Sequence, residues 1–119
     1  MILSRRFSFE ATHTLKREIE AEGSARLHGH SYRVEIGVSG VVDEHGMILD
    51  GALIVEAFSP IREALDHRNL DDVQGLGQAT LENLCAFIWR GIEPTLEGVC
   101  RVVVWRETVG DSCCLEKTQ

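Results

Sequence analysis

The alternating segment from His28 to Ser39 is the sequence feature that most constrains how this chain folds. One side of it carries only histidine, aromatic and aliphatic residues, namely His28, His30, Tyr32, Val34, Ile36 and Val38. The other side carries glycine, serine and charged residues, namely Gly29, Ser31, Arg33, Glu35, Gly37 and Ser39. Because successive side chains of a strand point to opposite faces, this pattern predicts a half-buried β-strand.

Shorter patterns predict three more strands. Residues Ser8 to His13 alternate in the same way and precede the long segment as a first strand. The run Met47 to Leu49 follows a turn at Asp43 to Gly46, so we expect it to pair back as a hairpin. Val99 to Glu107 is rich in β-branched residues and is predicted to be the last long strand.

Two helices are predicted between the third and fourth strands. Apolar residues at helical spacing indicate a helix from about Ala52 to Leu65, kinked or restarted at Pro60. Thr80 is a favourable N-cap for a second helix with an apolar face from Leu81 to Ile92. The order β-β-β-α-α-β predicts an α+β fold with two helices on one face of a four-stranded antiparallel sheet. The open edges of such a sheet favour a homo-oligomer.

Composition excludes several classes of function. The chain has 119 residues and a mass of 13.3 kDa, which predicts one domain over residues 1–119. Its formal net charge of −7 disfavours general binding to nucleic acids or to anionic membranes. It has no apolar run that would span a membrane, and no apolar segment follows Arg5 and Arg6 as in a signal peptide. We therefore expect a cytoplasmic location, in which the four cysteines stay reduced.

Three histidines are candidate metal ligands. His28 and His30 point to the same side of their strand, and His13 ends the apolar face of the first strand. If the two strands pair, three imidazoles converge at one end of the sheet, and a fourth position stays open as in a catalytic zinc site. The alternative is that each histidine is a hydrogen-bonded core residue without a ligand.

Asp66–His67 and Glu107 are candidate acid–base and binding residues. A carboxylate beside a histidine can raise the basicity of the imidazole and fix its tautomer. Alternatively, His67 complements the dipole of the helix that it follows, and Asp66 is solvated. Glu107 is either exposed and without a role, or directed into a site where its two oxygens accept hydrogen bonds from an amidine-like N–H pair.

An ordered set of motifs carries a family resemblance over about Phe7 to Cys113. The set comprises Phe-Glu-Ala-Thr-His (9–13), Leu-His-Gly-His-Ser-Tyr (27–32), Asp50, Leu-Asp-His with Asn-Leu (65–70), Thr-x-Glu (80–82) and Glu-Thr (107–108). With these motifs the chain resembles the family of 6-pyruvoyltetrahydropterin and 6-carboxytetrahydropterin synthases. Its compact length is closer to the bacterial 6-carboxytetrahydropterin synthases of queuosine biosynthesis.

The resemblance implies a fold, a cofactor and a set of site residues. The fold would be the tunnelling fold, in which subunits close their sheets into a barrel, as a trimer, a dimer of trimers or a hexamer, with active sites between subunits. Zinc would be held by His13, His28 and His30. The site residues would be Asp66 and His67 in an acid–base relay, Glu107 as the anchor of the pterin ring, and Thr108, Thr80 and Glu82 near the same pocket.

The resemblance also implies a substrate and a reaction. The substrate would be 7,8-dihydroneopterin triphosphate, and the enzyme a lyase that forms 6-carboxy-5,6,7,8-tetrahydropterin or a related 6-substituted pterin. A triphosphate needs local cations in an acidic protein, and the candidates are Lys16, Arg17, Arg26 and Arg68.

Ser24 departs from the family pattern, since relatives usually carry a cysteine there as the general base. A serine hydroxyl is far less acidic than a thiol and is a poor proton acceptor unless another base activates it. Three interpretations follow: Glu20 or Glu22 replaces the thiol, His67 serves alone, or the chain binds zinc and a pterin without the usual turnover. A further alternative is a non-enzymatic assembly module in which the histidines are structural.

Overall fold

The two strands predicted from alternation form the centre of the sheet in the computed structural model, which describes residues 1–14 and 27–117. Strand β1 (Ile2–His13) pairs antiparallel with strand β2 (His28–Ser39) along its whole length. Ile2 lies opposite Ser39 at one end, and His13 lies opposite His28 at the other. This register brings the two histidine-bearing strand ends together.

The remaining elements complete a five-stranded sheet with two helices. They are α1 (Ala52–Leu65), β3 (Arg68–Asn69), a 3-10 turn (Leu70–Asp72), α2 (Leu81–Ile92), β4 (Val99–Arg106) and β5 (Ser112–Glu116). The strand order across the sheet is β3-β1-β2-β4-β5, in which β3 runs parallel to β1 and the other neighbours are antiparallel. The predicted α+β class with two helices is confirmed.

Both helices pack on one face of the sheet, as their apolar stripes predict. The Phe58 ring of α1 lies 4.5 Å from the Phe7 ring of β1, and the Cys85 thiol of α2 approaches the carbonyl of Val102 on β4. The opposite face carries ion pairs, including those of Glu35 with Arg6 at 3.1 Å and with Arg101 at 3.9 Å. One face is therefore the core and the other is polar, as an amphipathic sheet requires.

The predicted hairpin at Met47 to Leu49 is wrong. Asp43 closes this segment on itself: its backbone N–H donates to the Met47 carbonyl at 2.8 Å, and its carboxylate accepts from the backbone N–H groups of His45 and Met47. The backbone groups of the turn are thus satisfied locally and do not pair with a strand. The predicted order β-β-β-α-α-β is accordingly corrected to β-β-α-β-α-β-β.

The predicted four-stranded sheet gains a strand because two short strands, β3 and β5, are present and the expected hairpin strand is absent among the described residues. Strand β3 has only two residues, too few for a period to show. Strand β5 pairs with β4 and buries only Cys113 and Leu115, each in part, so its apolar face is too short to stand out in the sequence. Helix α1 runs from Ala52 to Leu65 with Pro60 inside it, so it does not restart there.

The N-cap of α2 yields a stability prediction. The Thr80 side-chain oxygen accepts a hydrogen bond from the Asn83 backbone N–H at 3.1 Å. We expect Thr80→Ala to lower the free energy of unfolding by about 1 kcal/mol, since an N-cap hydrogen bond contributes that much. Chemical denaturation measures the change, and Thr80→Ser, which keeps the acceptor, serves as the control. Equal losses in both variants would show that the cap does not stabilise α2.

Candidate metal centre and the adjoining cavity

The three predicted histidines converge at one end of the sheet. His13 lies directly opposite His28 in the register, and His30 follows two residues along β2 on the same face. One ligand nitrogen from each lies within 4.8 Å of the others, and the Nε2 atoms of His13 and His28 are 2.9 Å apart. Three nitrogens around a zinc-sized ion lie about 3.3 Å apart, given bond lengths of about 2.0–2.1 Å. The cluster therefore has the donor set and the spacing to hold a metal ion.

His13 is oriented by a backbone carbonyl. Its side chain is fully buried, and its Nδ1 lies 3.0 Å from the carbonyl oxygen of Ala79, directly before the cap of α2. A carbonyl only accepts, so Nδ1 carries the proton and the Nε2 lone pair of the neutral ring faces the cluster. Such a second partner on a ligating histidine fixes its tautomer and orientation. Tyr32 places its hydroxyl 3.3 Å from the same Nδ1.

His30 has a buried ring nitrogen that is suited to bind a metal ion. Its Nε2 atom is buried and has no hydrogen-bond partner among the residues that the structure describes. Burial lowers the pKa of His30 to about 4, with smaller contributions from the charges of His13 and Arg106. Burial likewise lowers the pKa of His13. Both imidazoles are thus neutral near pH 7 and present lone pairs, as metal binding requires.

These lowered pKa values predict the acid sensitivity of the metal-free protein. Between about pH 6.5 and 4 the unfolded chain binds a proton at residue 30 that the folded chain does not. Stability therefore rises with pH through this window and is lost as the pH falls. We expect the melting temperature of the metal-free protein to drop on acidification from pH 6.5 to 4, and to drop less in His30→Ala. The same pH slope in both proteins would contradict this assignment.

Asp66 and His67 are attached to β1 at Glu10, three residues before His13. The Asp66 Oδ1 atom accepts from the Glu10 backbone N–H at 2.9 Å, and the His67 backbone N–H donates to the Glu10 carbonyl at 2.6 Å. His67 adopts a positive φ of 58°, which is uncommon for a residue other than glycine, and such strain often marks functional positions. Its Nε2 lies 3.7 Å from Asp66 Oδ2, while the side chain is 78% exposed.

An open cavity of about 490 Å³ joins several of the predicted site residues. His30, His67, Arg68 and Thr108 all line it, together with Gly29 and residues of β1. The structure thus brings the acid–base candidate and one cationic candidate to the same cavity as a metal-ligand candidate.

The other predicted binding residues lie elsewhere in the single chain. Glu107 follows β4 and pairs with Arg33 on the polar sheet face, with Oε1 and Nε 3.2 Å apart. Thr80 caps α2 beside Ala79, and Glu82 is exposed in the first turn of α2. Glu107, Thr80 and Glu82 do not line the cavity. Ser24, Glu20 and Glu22, with the cations Lys16, Arg17 and Arg26, lie outside the described residues.

Sequence reasoning missed two carboxylates and an arginine at this end of the sheet. The Asp71 carboxylate accepts from the Thr14 backbone N–H and hydroxyl at 3.0–3.2 Å, which holds the chain as it leaves His13. Arg106 ends β4 opposite Tyr32 and pairs with Asp111. The sequence could have indicated Arg106, because every second residue of a strand lies on the same face. Arg106 thereby shares a face of β4 with the buried Val102 and Val104.

The sequence matches a known protein family over nearly its whole length. The family model described as 6-pyruvoyl tetrahydropterin synthase matches residues 2–118. The chain belongs to this family. Two curated relatives are a 6-pyruvoyl tetrahydrobiopterin synthase of Drosophila melanogaster, 37% identical over 110 residues, and a 6-carboxy-5,6,7,8-tetrahydropterin synthase of Synechocystis, 35% identical over 99 residues. The alignments cover 80% and 77% of this chain, and 66% and 74% of the relatives.

A solved family structure confirms the expected tunnelling fold. The 6-pyruvoyl tetrahydropterin synthase of Caenorhabditis elegans superimposes with a TM-score of 0.85 at 24% identity, covering 99% of this chain and 96% of that one. The chain spans 66% of the length of the Drosophila relative, just under two thirds of it. Over residues 1–14 and 27–117, neither helix is long and apolar enough to cross a membrane.

Proposed function

We propose that this family member is a zinc-dependent lyase that converts 7,8-dihydroneopterin triphosphate to 6-carboxy-5,6,7,8-tetrahydropterin or a related 6-substituted pterin. The observation that carries the proposal is the cluster of His13, His28 and His30 beside a cavity that His67 also lines. The named relatives support the substrate class, since both act in tetrahydropterin synthesis by name. They differ in product, so the product is the part that most needs a test.

The donor set favours zinc among the metals. Three imidazoles with no sulfur or carboxylate ligand beside them among the described residues suit zinc, and an open fourth position is typical of its catalytic sites. When bound, zinc would supply Lewis acidity toward the side-chain hydroxyls of the substrate. His13 would keep its ligand nitrogen aimed at the ion through the hydrogen bond from its Nδ1 to Ala79.

His67 is the proton-transfer residue in this proposal, and Asp66 positions it. The exposed His67 imidazole reaches the cavity, and an imidazole has one nitrogen that can accept a proton and one that can donate it. The Asp66 carboxylate is bound to the Glu10 N–H and lies 3.4 Å from an Arg62 nitrogen, so it is fixed. A fixed carboxylate next to His67 would favour the protonated imidazole during the transfer.

Substrate binding would use residues that the single chain does not bring together. Glu107 would exchange its Arg33 partner for the N–H groups of the pterin ring, and Arg68 would meet the phosphates from the cavity wall. Thr108 lines that cavity directly, while Thr80 and Glu82 lie at the start of α2. We propose a homo-oligomer, a trimer or a dimer of trimers such as a hexamer, in which Glu107 of one copy would complete the site of another.

The proposed mechanism has two versions, which differ in the general base. Ser24 stands where the family usually has cysteine, and a serine hydroxyl needs another base to activate it. Glu22 or Glu20 would take the proton in one version of the mechanism, and His67 alone in another. Ser24 also favours a second candidate function, a zinc- and pterin-binding homologue that has lost or altered turnover.

Product identification tests these alternatives. We would incubate the zinc-loaded full chain with 7,8-dihydroneopterin triphosphate and identify pterins by mass spectrometry, with the metal-free chain as control. A zinc-dependent 6-carboxy or 6-pyruvoyl product supports the proposal and shows that Ser24 is tolerated. A 6-hydroxymethyl product would indicate a changed cleavage that uses Glu20 or Glu22. Substrate binding without product, restored to turnover by Ser24→Cys, would establish the binding-protein alternative.

A further inference from the structure

Arg106 lies on the core face of the sheet at the metal-site end. It is the last residue of β4 and is opposite Tyr32, whose neighbour two residues back on β2 is His30. Its face is that of Val102 and Val104, both fully buried, and its own side chain is only 13% exposed. A charged side chain on the inner face of a strand needs a reason, because burial of an unpaired charge is costly.

The Nη2 and Nε atoms of the Arg106 guanidinium differ in their hydrogen bonding. Its Nη2 atom lies 2.5 Å from the Asp111 Oδ2 atom across the turn between β4 and β5, and its backbone N–H donates to the Asp111 carbonyl. Its Nε atom is buried and has no hydrogen-bond partner among the described residues. The group is therefore fixed in position while it keeps an unused donor.

The positive charge of Arg106 beside the histidine cluster favours a bound anion. Arg106 lies directly opposite Tyr32 in the register, and the Tyr32 hydroxyl is 3.3 Å from the Nδ1 atom of His13, so its positive charge lies beside the histidine cluster. The described carboxylates at this end of the sheet are already engaged, Asp71 by Thr14 and Asp111 by Arg106 itself. A divalent metal ion would add further positive charge at the same place. An oxyanion near both cations would offset this repulsion.

We propose that Arg106, held by Asp111, is an anion-binding residue of the metal site and donates from its guanidinium to an oxyanion of the bound pterin compound. The inference rests on the proposed function for the pterin. Two groups share this chemistry, a carboxylate on carbon 6 of the ring and a phosphate oxygen of the side chain. The Asp111 carboxylate holds the Arg106 guanidinium in place before the ligand arrives.

Ligand binding by the zinc-loaded full chain tests the proposal without turnover. Fluorescence titration would compare 6-carboxypterin with 6-hydroxymethylpterin, which has the same ring and a neutral substituent, and inorganic triphosphate would serve as a separate competitor. We expect Arg106→Gln to raise the Kd of one of the two anions about 10- to 100-fold, as for loss of a charge-assisted hydrogen bond. The Kd of 6-hydroxymethylpterin should change less than about threefold.

The affinities for 6-carboxypterin and for triphosphate show whether Arg106 binds the ring carboxylate or a phosphate. A selective loss of 6-carboxypterin assigns Arg106 to the carboxylate, and a selective loss of triphosphate assigns it to the phosphates. Arg106→Lys keeps the charge and replaces the planar fork, so it should lose less than Arg106→Gln, and it serves if the glutamine variant does not fold. Arg5→Gln is the matched control, because this exposed arginine precedes His13 by eight residues on β1, about 26 Å away.

Three results would overturn the inference. They are unchanged affinities for both anions in Arg106→Gln, an equal loss for the neutral pterin, or an equal loss in Arg5→Gln. Failure of the proposed function would look different, because the wild-type chain would then lack turnover while the Arg106-dependent binding of inorganic triphosphate or of 6-carboxypterin persisted.

Discussion

Replacing His30 with alanine is expected to weaken zinc binding by more than about 100-fold and to abolish turnover. Loss of an outer partner of a ligand already costs about 10- to 100-fold in metal affinity, and here one of three ligands is lost. The remaining two, His13 and His28, form an incomplete site. Competition with a chromophoric chelator measures the affinity, and elemental analysis of the purified protein gives the zinc content per chain.

His45→Ala is the matched control for this experiment. His45 lies in the turn after β2 with its side chain 69% exposed, and its imidazole is 3.4 Å from Glu44 rather than in the cluster. We expect this variant to bind zinc like the wild-type chain. Stoichiometric zinc of unchanged affinity in His30→Ala would contradict the assignment of the cluster as the metal site, and would favour structural histidines.

Replacing His67 with asparagine is expected to lower kcat about 10²- to 10⁴-fold while zinc content stays at the wild-type level. That range is typical for loss of a general acid or base. Asparagine is the suitable replacement, because it tolerates the positive φ that His67 adopts, so the turn after α1 keeps its backbone. Steady-state kinetics with mass-spectrometric product detection measure the loss.

The melting temperature and the metal content separate this effect from misfolding. His67→Asn should melt within a few degrees of the wild-type chain, since the side chain is exposed and the bond to Glu10 comes from the backbone. Asp66→Asn should also lose activity, with an altered pH profile, if the carboxylate stabilises the protonated imidazole. Wild-type kcat in His67→Asn would show that this histidine is not the proton-transfer residue.

Much of the fold could be predicted from the sequence because its elements have strong periods. Strand β2 and helix α2 occur where their patterns place them, the latter with its Thr80 cap. Strand β1 starts at Ile2, six residues before the predicted start at Ser8, because its first residues are exposed and hide the alternation. Strand β3 is stabilised by pairing with β1 and has no local signal of its own.

The site was predictable in part for the same physical reason. Side-chain parity places His28 and His30 together, and strand pairing adds His13, so local rules were sufficient for the cluster. Ala79 orients His13 through its backbone carbonyl, and a backbone contact of this kind has no sequence signal. Arg106 and Asp111 meet only because the turn between β4 and β5 folds back, so their pairing depends on tertiary structure.

X-ray absorption at the zinc edge of the zinc-loaded chain tests the central claim, that the three histidines form the metal centre, most directly. We predict three imidazole nitrogens at about 2.0–2.1 Å and one further light ligand, with this pattern lost in His30→Ala. Sulfur scattering at about 2.3 Å would instead place the ion on the cysteines and contradict the account. A spectrum unchanged by His30→Ala would contradict it equally.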